Sequence, residues 1–273
     1  MVSSEAAQPR FVTYILYGFY LTLTRGRAMP THQHHTLQLT LSADAPFIAH
    51  VGEGELVGRG LLIGSGQPHA TPATPGTLVN FLIEPESEAG RQINQVLLNH
   101  RASVPLSDDL VESFAPLLRT LDSVEQLPKE QIITVYQQVV AALIGATASL
   151  PTRDARIEEA LQRLITLPEK RMSARALSSS VALSESRLLH LFKAETGTTL
   201  RAYLLWLRLG QALKLIWTGV PLTEAAHTAG FADAAHLSRT ARQTFGTTLS
   251  SLAQGARNFQ VYVYEEPFPY TAD

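Results

Sequence analysis

The sequence predicts an α+β chain of two domains. A small antiparallel β-barrel followed by helices comes first, then an all-α domain in which one helix pair is used twice, joined by a long helix. Three observations lead there. Short runs rich in β-branched, aromatic and leucine residues fill the chain from 11 to about 85, with no helical period between them. From Ser87 onward the apolar residues recur at three- and four-residue spacings. Residues 173–204 can also be laid over residues 222–253 at a constant offset of 49.

Bulk composition bounds the answer. At 273 residues, 45% of them apolar and 17% charged, the chain has the length of two domains and enough apolar surface for real cores. It has no cysteine, which excludes a disulfide framework, a thiolate nucleophile and thiolate-bound zinc, and fits a reducing cytoplasm. The polar start, with no basic residue before Arg10, does not read as a secretory signal. Phe11–Leu23 is too short to span a bilayer, so no membrane partner is expected. The net charge of −2 is unevenly spread. Residues 1–150 carry 8 basic and 13 acidic side chains, residues 151–260 carry 14 and 8, and the tail adds three acids. A basic segment inside an acidic chain points to a polyanion partner for that segment alone.

In order along the chain, Phe11–Leu23, Leu37–Ser42, Phe47–Val51, Gly60–Gly64 and Thr77–Glu84 read as strands, divided by Gly, Pro and Thr clusters. Closely spaced strands with no helix between them give an antiparallel sandwich or small barrel. Three helices follow. Their apolar positions are Ile93, Val96 and Leu97, then Leu110, Phe114, Leu117, Leu118 and Leu121, then Ile132, Val135, Tyr136, Val139, Val140 and Leu143. Ser107-Asp-Asp caps the second. A domain boundary is placed at Pro151, giving domains 1–150 and 151–258 and a tail, 259–273, whose alternation suggests a short strand or a docked arm.

The repeat sets Ala176 on Ala225, Leu188 on Leu237, Gly197 on Gly246 and Thr198-Thr199-Leu200 on Thr247-Thr248-Leu249. In the first copy a short helix from Ser173 meets a turn at Val181-Ala-Leu, and Ser184 caps a second helix. Leu188, Leu191 and Phe192 share one face of it, with Ser186, Arg187, His190 and Lys193 opposite. In the second copy Thr223 caps the first helix, Gly230-Phe-Ala is the turn, and Asp233 caps a helix presenting Ala235, His236, Ser238, Arg239 and Arg242. A buried apolar stripe backed by basic and hydrogen-bonding residues suits the major groove of DNA. Solvated or salt-bridging surface is the plain alternative for the basic residues, and packing or capping for His190 and His236. Trp206 and Phe231 read as core. Thr199 to Thr218 reads as one connecting helix of about 30 Å, at ~1.5 Å per residue.

These residues resemble the DNA-binding domain of the AraC family of transcription regulators, most clearly Gly230-Phe-Ala-Asp-Ala-Ala-His-Leu-Ser-Arg, with Phe192-Lys-Ala-Glu-Thr-Gly in agreement. The resemblance covers about 153–252 and implies helix-turn-helix units bound to double-stranded DNA. It implies base contacts from Ser186, Leu189 and His190 in the first unit and from Ala234, Ala235, Ser238 and Arg239 in the second. Phosphate contacts would come from Arg187, Lys193, His236 and Arg242. Three departures stand out. Ala241 replaces a usual aromatic, Leu249 a usual proline, and the tyrosine–arginine pair that commonly follows is absent.

The early strands resemble the cupin-like sensor barrel that many members place first. Thr31-His-Gln-His-His, Gln38 and Pro68-His69 carry this likeness, since His32, His34 and His69 are spaced as in metal-binding cupins. Gln38 stands near the place of the customary glutamate ligand. Three readings follow for His32, His34, His69 and Gln38. One is a pocket for a small-molecule effector without metal. Another is a metal held by His32, His34 and His69, in a metal sensor or a metal-dependent cupin enzyme, a dioxygenase or isomerase. A merely structural cluster is the third. The chain has no P-loop, Gly-x-Gly-x-x-Gly or Gly-x-Ser-x-Gly, so no cofactor and no enzyme activity are expected under the favoured reading. The family resemblance further implies a homodimer paired through Ile132, Val135, Val139 and Leu143, with packing on the barrel as the alternative. It also implies contact with RNA polymerase where a member activates, the commoner habit in the family.

Overall fold

The computed structural model describes residues 10–16, 19–123, 126–145, 152–167, 170–252 and 259–264. Among the described residues the first part of the chain forms ten strands: β1 (Arg10–Leu16), β2 (Phe19–Arg25), β3 (Met29–His32), β4 (Leu37–Ser42), β5 (Phe47–Val51), β6 (Gly54–Gly58), β7 (Gly60–Ile63), β8 (His69–Thr71), β9 (Thr77–Ile83) and β10 (Ser103–Pro105). Between β9 and β10 lie α1 (Glu88–Ile93) and a π-helical turn, Asn94–Leu98. After β10 come α2 (Asp108–Ser123) and α3 (Lys129–Ile144). One sheet runs β10-β7-β4-β9-β2-β1-β11, where β11 is Phe259–Val263, and the other runs β3-β8-β5-β6.

Phe11–Leu23, expected as one strand, is a hairpin. β1 pairs antiparallel with β2, Leu16 opposite Phe19, because folding the run on itself lets both halves bury their apolar residues. The short strands β3, β6, β8 and β10 carry too few residues to show a period. The first predicted helix breaks into α1 and the π-turn, and Asn99 and His100 then take positive φ (42° and 69°), which ends it.

Alternation in the larger sheet assigns its two faces. Leu37, Leu39, Leu41, Leu62, Val79, Phe81 and Ile83 point to one side, into a core closed by α1, α2 and α3. Leu61, Ile63 and Leu78 point to the other, where they meet Phe47, Ala49 and Val51 of the second sheet. The expected dimer seam is corrected by this packing. Ile132, Val135, Val139 and Leu143 are buried in the chain's own core, at 0, 2, 0 and 5% exposure. An α3 laid on the sheet uses its apolar stripe there and has none left for a partner.

Gly90 tests this packing by its size. A Cβ on it would meet the Glu84 carbonyl oxygen at 2.1 Å and Pro85 Cα at 2.9 Å, both main-chain atoms. Helix propensity alone predicts that Gly90→Ala gains up to ~1 kcal/mol. The clash should win, with a net loss of about 1–3 kcal/mol in urea unfolding; a rise in the midpoint would refute so close an approach of α1 to the chain before it.

The second part is helical: α4 (Ala155–Thr166), α5 (Ala174–Ser180), α6 (Glu185–Thr196), α7 (Leu200–Trp217), α8 (Leu222–Thr228), α9 (Ala234–Phe245) and α10 (Leu249–Leu252). No helix among the described residues is long and apolar enough to cross a membrane. The chain divides into two compact units, Met1–Ala148 with Phe245–Asp273, and Ser149–Thr244. The expected boundaries after 150 and 258 compare with divisions after 148 and 244. The later segment groups with the sheets because β11 pairs parallel with β1, stacking Phe259 on Phe11 and Tyr262 on Tyr14. The strand half of the tail expectation falls on β11; residues 265–273 lie outside the described residues.

Candidate nucleic-acid interface and buried histidine cluster

The repeat resolves into two helix–turn–helix units, whose second helices are capped at matched positions. Ser173 and Ser184 accept main-chain N–H bonds from Ala176 and Arg187, fixing the starts of α5 and α6. Gly197 ends α6 at φ 75°, as Gly246, at φ 65°, follows α9. Asp233 Oδ1 accepts the His236 N–H at 2.6 Å, and that bond holds the Asp233 carboxyl below its ordinary range. Asp233→Ala should therefore lower the thermal unfolding midpoint, and an unchanged midpoint would show that this bond does not anchor the start of α9. Thr223, expected as the cap of α8, lies in its first turn, because Pro221 with its fixed φ takes the cap position instead. The turns differ in chemistry: Ala182 (φ 53°) serves the first and Gly230 (φ 85°) the second. At Gly230 it is the positive φ that favours glycine, since the atom a Cβ would approach, Arg171 Nε at 2.9 Å, sits at the end of a flexible side chain.

In α6 the burial separates two faces. Leu188 and Phe192 are fully buried with Ile157, Leu161, Leu177 and Tyr203, while Ser186, Arg187, Leu189, His190 and Lys193 are all exposed. An apolar Leu189 at 40% exposure on that row has no partner in its own core. In α9, Leu237, Thr240 and Ala241 are buried, and Ala235, Arg239 and Arg242 are exposed or nearly so at the helix surface. Ala234, His236 and Ser238 stand between the two faces. The His236 ring stands edge-on to Phe231 at 5.3 Å, and Ser238 Oγ donates to the Ala234 carbonyl at 2.7 Å. Both side chains thus have local contacts within their own unit. The α7 helix is continuous for 18 residues from its Thr199 cap, and Trp206 and Phe231 are core.

Near the Gly230 turn the unit concentrates positive charge. Arg208 Nε donates to the Lys170 carbonyl at 2.7 Å, and burial and then the nearby Arg171 lower the Arg208 pKa. Lys170 Nζ in turn donates to the Leu164 and Ile165 carbonyls at the end of α4, where the helix dipole is negative.

The barrel holds the second candidate site. β3 and β8 pair with His32 directly opposite His69, and His34 follows β3 by two residues. The three rings are 8, 6 and 2% exposed for His32, His34 and His69, with centroids 4.2 to 5.6 Å apart. One ligand nitrogen from each ring lies within 4.8 Å of the others. Burial first, then the neighbouring imidazoles, pushes His34 down to about 3, and His69 down to about 4. Burial lowers His32 as well, so all three are neutral at neutral pH. Gln38, on β4, reaches both His34 Nε2 and His69 Nε2 at 3.0 Å. The structure therefore brings together all four residues singled out in the barrel.

Sequence reasoning missed what continues from them. Thr13, Thr22, Asn80 and Thr40 are in register across β1, β2, β9 and β4. They are joined by Thr13–Thr22 at 3.2 Å, Thr40–Asn80 at 2.9 Å and Gln38–Thr40 at 3.0 Å. A polar stripe thus crosses a face whose neighbours are leucine and phenylalanine. The signal was a polar residue recurring at the alternate position of apolar strands.

The family described as "Helix-turn-helix domain" matches residues 177–255. "Regulatory protein ada" of Salmonella typhimurium is 35% identical over 85 residues, which is 31% of this chain and 24% of that protein. The chain spans about a quarter of the length of that curated relative. Among solved structures, an apo form of ToxT from Vibrio cholerae superposes with a TM-score of 0.56 at 10% identity, covering 86% of this chain and 96% of that one. ToxT bound to (E)-4-(8-methylnaphthalen-1-yl)but-3-enoic acid superposes with a TM-score of 0.50 at 9% identity, covering 85% and 97%. At such identities the likeness is one of fold.

Proposed function

We propose that the chain is a transcription regulator of the AraC family, on the likeness carried by its paired helix–turn–helix units, and that it binds a specific site on double-stranded DNA under the control of a small molecule held in its barrel. The observation that carries the first half is the division of α6: two buried anchors, and five exposed residues able to meet base edges and phosphates. In this reading Ser186, Leu189 and His190 read bases beside Arg187 and Lys193 on phosphates, and Arg239 dominates in α9. Ala234 and Ala235 offer only methyl contact, suited to thymine. His236 is reassigned from phosphate contact to packing on Phe231, and Ser238 keeps only its lone pairs for DNA.

The 18 residues of α7 make a strut of ~27 Å, at ~1.5 Å per residue. That is of the order of the ~34 Å between major grooves on one face of a duplex. The second half rests on the buried polar stripe and the histidines, a lining that an apolar core has no use for. That a ToxT structure holds a carboxylic acid makes the corresponding unit a reasonable place to look. The reading includes a cytoplasmic protein, a homodimer built on a surface other than the α3 stripe, and contact with RNA polymerase if the protein activates.

Selection of sites from random duplex DNA tests it. Two enriched blocks about one helical turn apart are expected, with binding falling steeply as salt rises. Folded protein that enriches no sequence and retains no DNA at low salt would end this reading.

A further inference from the structure

We propose that Arg171 and Arg208, backed by Lys170, hold a phosphate group beside the Gly230 turn of the second helix–turn–helix unit. The geometry begins at the turn itself. A Cβ on Gly230 would lie 2.9 Å from Arg171 Nε and 3.4 Å from Arg208 Nε. Two guanidinium groups therefore flank one small space that carries no side chain of its own. Like charges set so close repel each other, and the arrangement stabilises the unit only when an anion comes between them.

What holds the two cations there is as informative as their nearness. Arg208 Nε donates to the Lys170 carbonyl at 2.7 Å, and Lys170 Nζ donates to the Leu164 carbonyl at 3.3 Å. Arg208 is thus anchored through one nitrogen, with both Nη atoms left over. Arg171 is exposed on the loop beside it. The arginines of α4 are paired with acids, Arg156 with Asp154 at 2.6 Å and Arg163 with Glu159 at 2.7 Å. Among the described residues, Arg171 and Arg208 enter no such pair. The repeat sharpens the contrast. Continued upstream by one helix, the offset of 49 sets Arg208 on Glu159, so the first copy has a neutralised pair where the second has an unneutralised cation.

The donor set selects the ligand. Each guanidinium is a planar fork able to give two parallel hydrogen bonds to an oxyanion. A carboxylate, with two oxygens and one charge, satisfies one fork and leaves the other. A phosphate group has oxygens for both. Position then points to a source. α9 begins at Ala234, just past Gly230, and its first two residues, Ala234 and Ala235, offer no hydrogen bond to a base. A clamp on the DNA backbone beside that helix would supply affinity and register without reading sequence. This assignment rests on the DNA-binding reading above; a free phosphorylated ligand is the other source of the same chemistry.

The test uses the full chain and two probes. Anisotropy of a labelled duplex of unselected sequence, over a series of salt concentrations, reads the first source. Arg171→Gln and Arg208→Gln should each weaken binding several-fold and lower the slope of log K against log salt by about one. Arg171→Lys should keep the wild-type slope, because the charge remains. Arg163→Gln, whose partner is Glu159, should also leave it unchanged; an equal fall there would mean a general loss of charge and overturn the site. Pyrophosphate, titrated by calorimetry at constant ionic strength, reads the second source. Binding to wild type that Arg171→Gln abolishes, with the DNA slope unchanged, would assign the site to a free phosphorylated ligand. Circular dichroism checks folding, and Arg171→Gln carries the test alone should Arg208→Gln unfold. An unchanged slope in folded Arg171→Gln, with no pyrophosphate bound by wild type, overturns the proposal. A chain that binds no DNA at all would end the regulator reading and leave the phosphate site to the pyrophosphate result.

Discussion

Replacing Phe192 with alanine should destabilise the helical unit by about 3–5 kcal/mol, enough to unfold a marginal domain. Phe192 is fully buried, its ring 5.6 Å from that of Tyr203, among Leu188, Leu177 and residues of α4. Truncation leaves a cavity where α4, α6 and α7 meet, and that junction sets the tilt at which α6 is presented. Thermal or urea unfolding should show the loss, and affinity for any selected DNA should fall with it. The second copy supplies the control. Ala241 occupies the equivalent position and is itself fully buried, so its surroundings are already built for a methyl group. Ala241→Phe should therefore destabilise through overpacking, by about 1–3 kcal/mol. If Phe192→Ala costs under ~1 kcal/mol, the core around α6 is looser than its burial implies.

Arg239→Ala should cost about 1–3 kcal/mol of binding free energy and relax a single block of the selected sequence. Arg239 stands at the surface of α9 near Ala235, and the alanines at the start of that helix have no hydrogen-bonding side chain to offer. Lys193→Ala, by contrast, should weaken all sequences alike and lower the salt slope by about one. Competition binding across the selected sites, repeated at several salt concentrations, distinguishes the two. A uniform loss from Arg239→Ala would move it from base reading to phosphate contact.

The helical unit was legible because its signals are local. Caps at Ser184 and Asp233, glycines at 197 and 246 and a threonine start at 199 act within a few residues, and the offset repeats them. Thr223 was misplaced because a proline two residues upstream outranks a threonine in setting where a helix begins. The barrel was harder, since its partners are distant in sequence. The hairpin in Phe11–Leu23 and the burial of Ile132, Val135, Val139 and Leu143 depend on which surface each stripe meets, and periodicity marks a stripe without naming its partner. The histidines were legible by spacing. Thr13, Thr22, Asn80 and Thr40 were not, because they become neighbours only through strand register.

The parallel pairing of β1 with β11 gives the chain an unusual connectivity. The compact unit Ser149–Thr244 is an insertion: the polypeptide leaves the barrel unit once, before α4, and re-enters it at the end of α9. Such an excursion has two tethers, and both lead to the same body. A protease cut in either one should leave the two fragments associated through the strands until denaturant is added. Ending the chain after α9 would do more than shorten it, since β1 would become an open edge with its main-chain donors and acceptors unpaired, the kind of edge that recruits other chains. A stand-alone helical fragment is therefore best cut out at both tethers, and the barrel closed over the gap by a linker that rejoins α3 to β11.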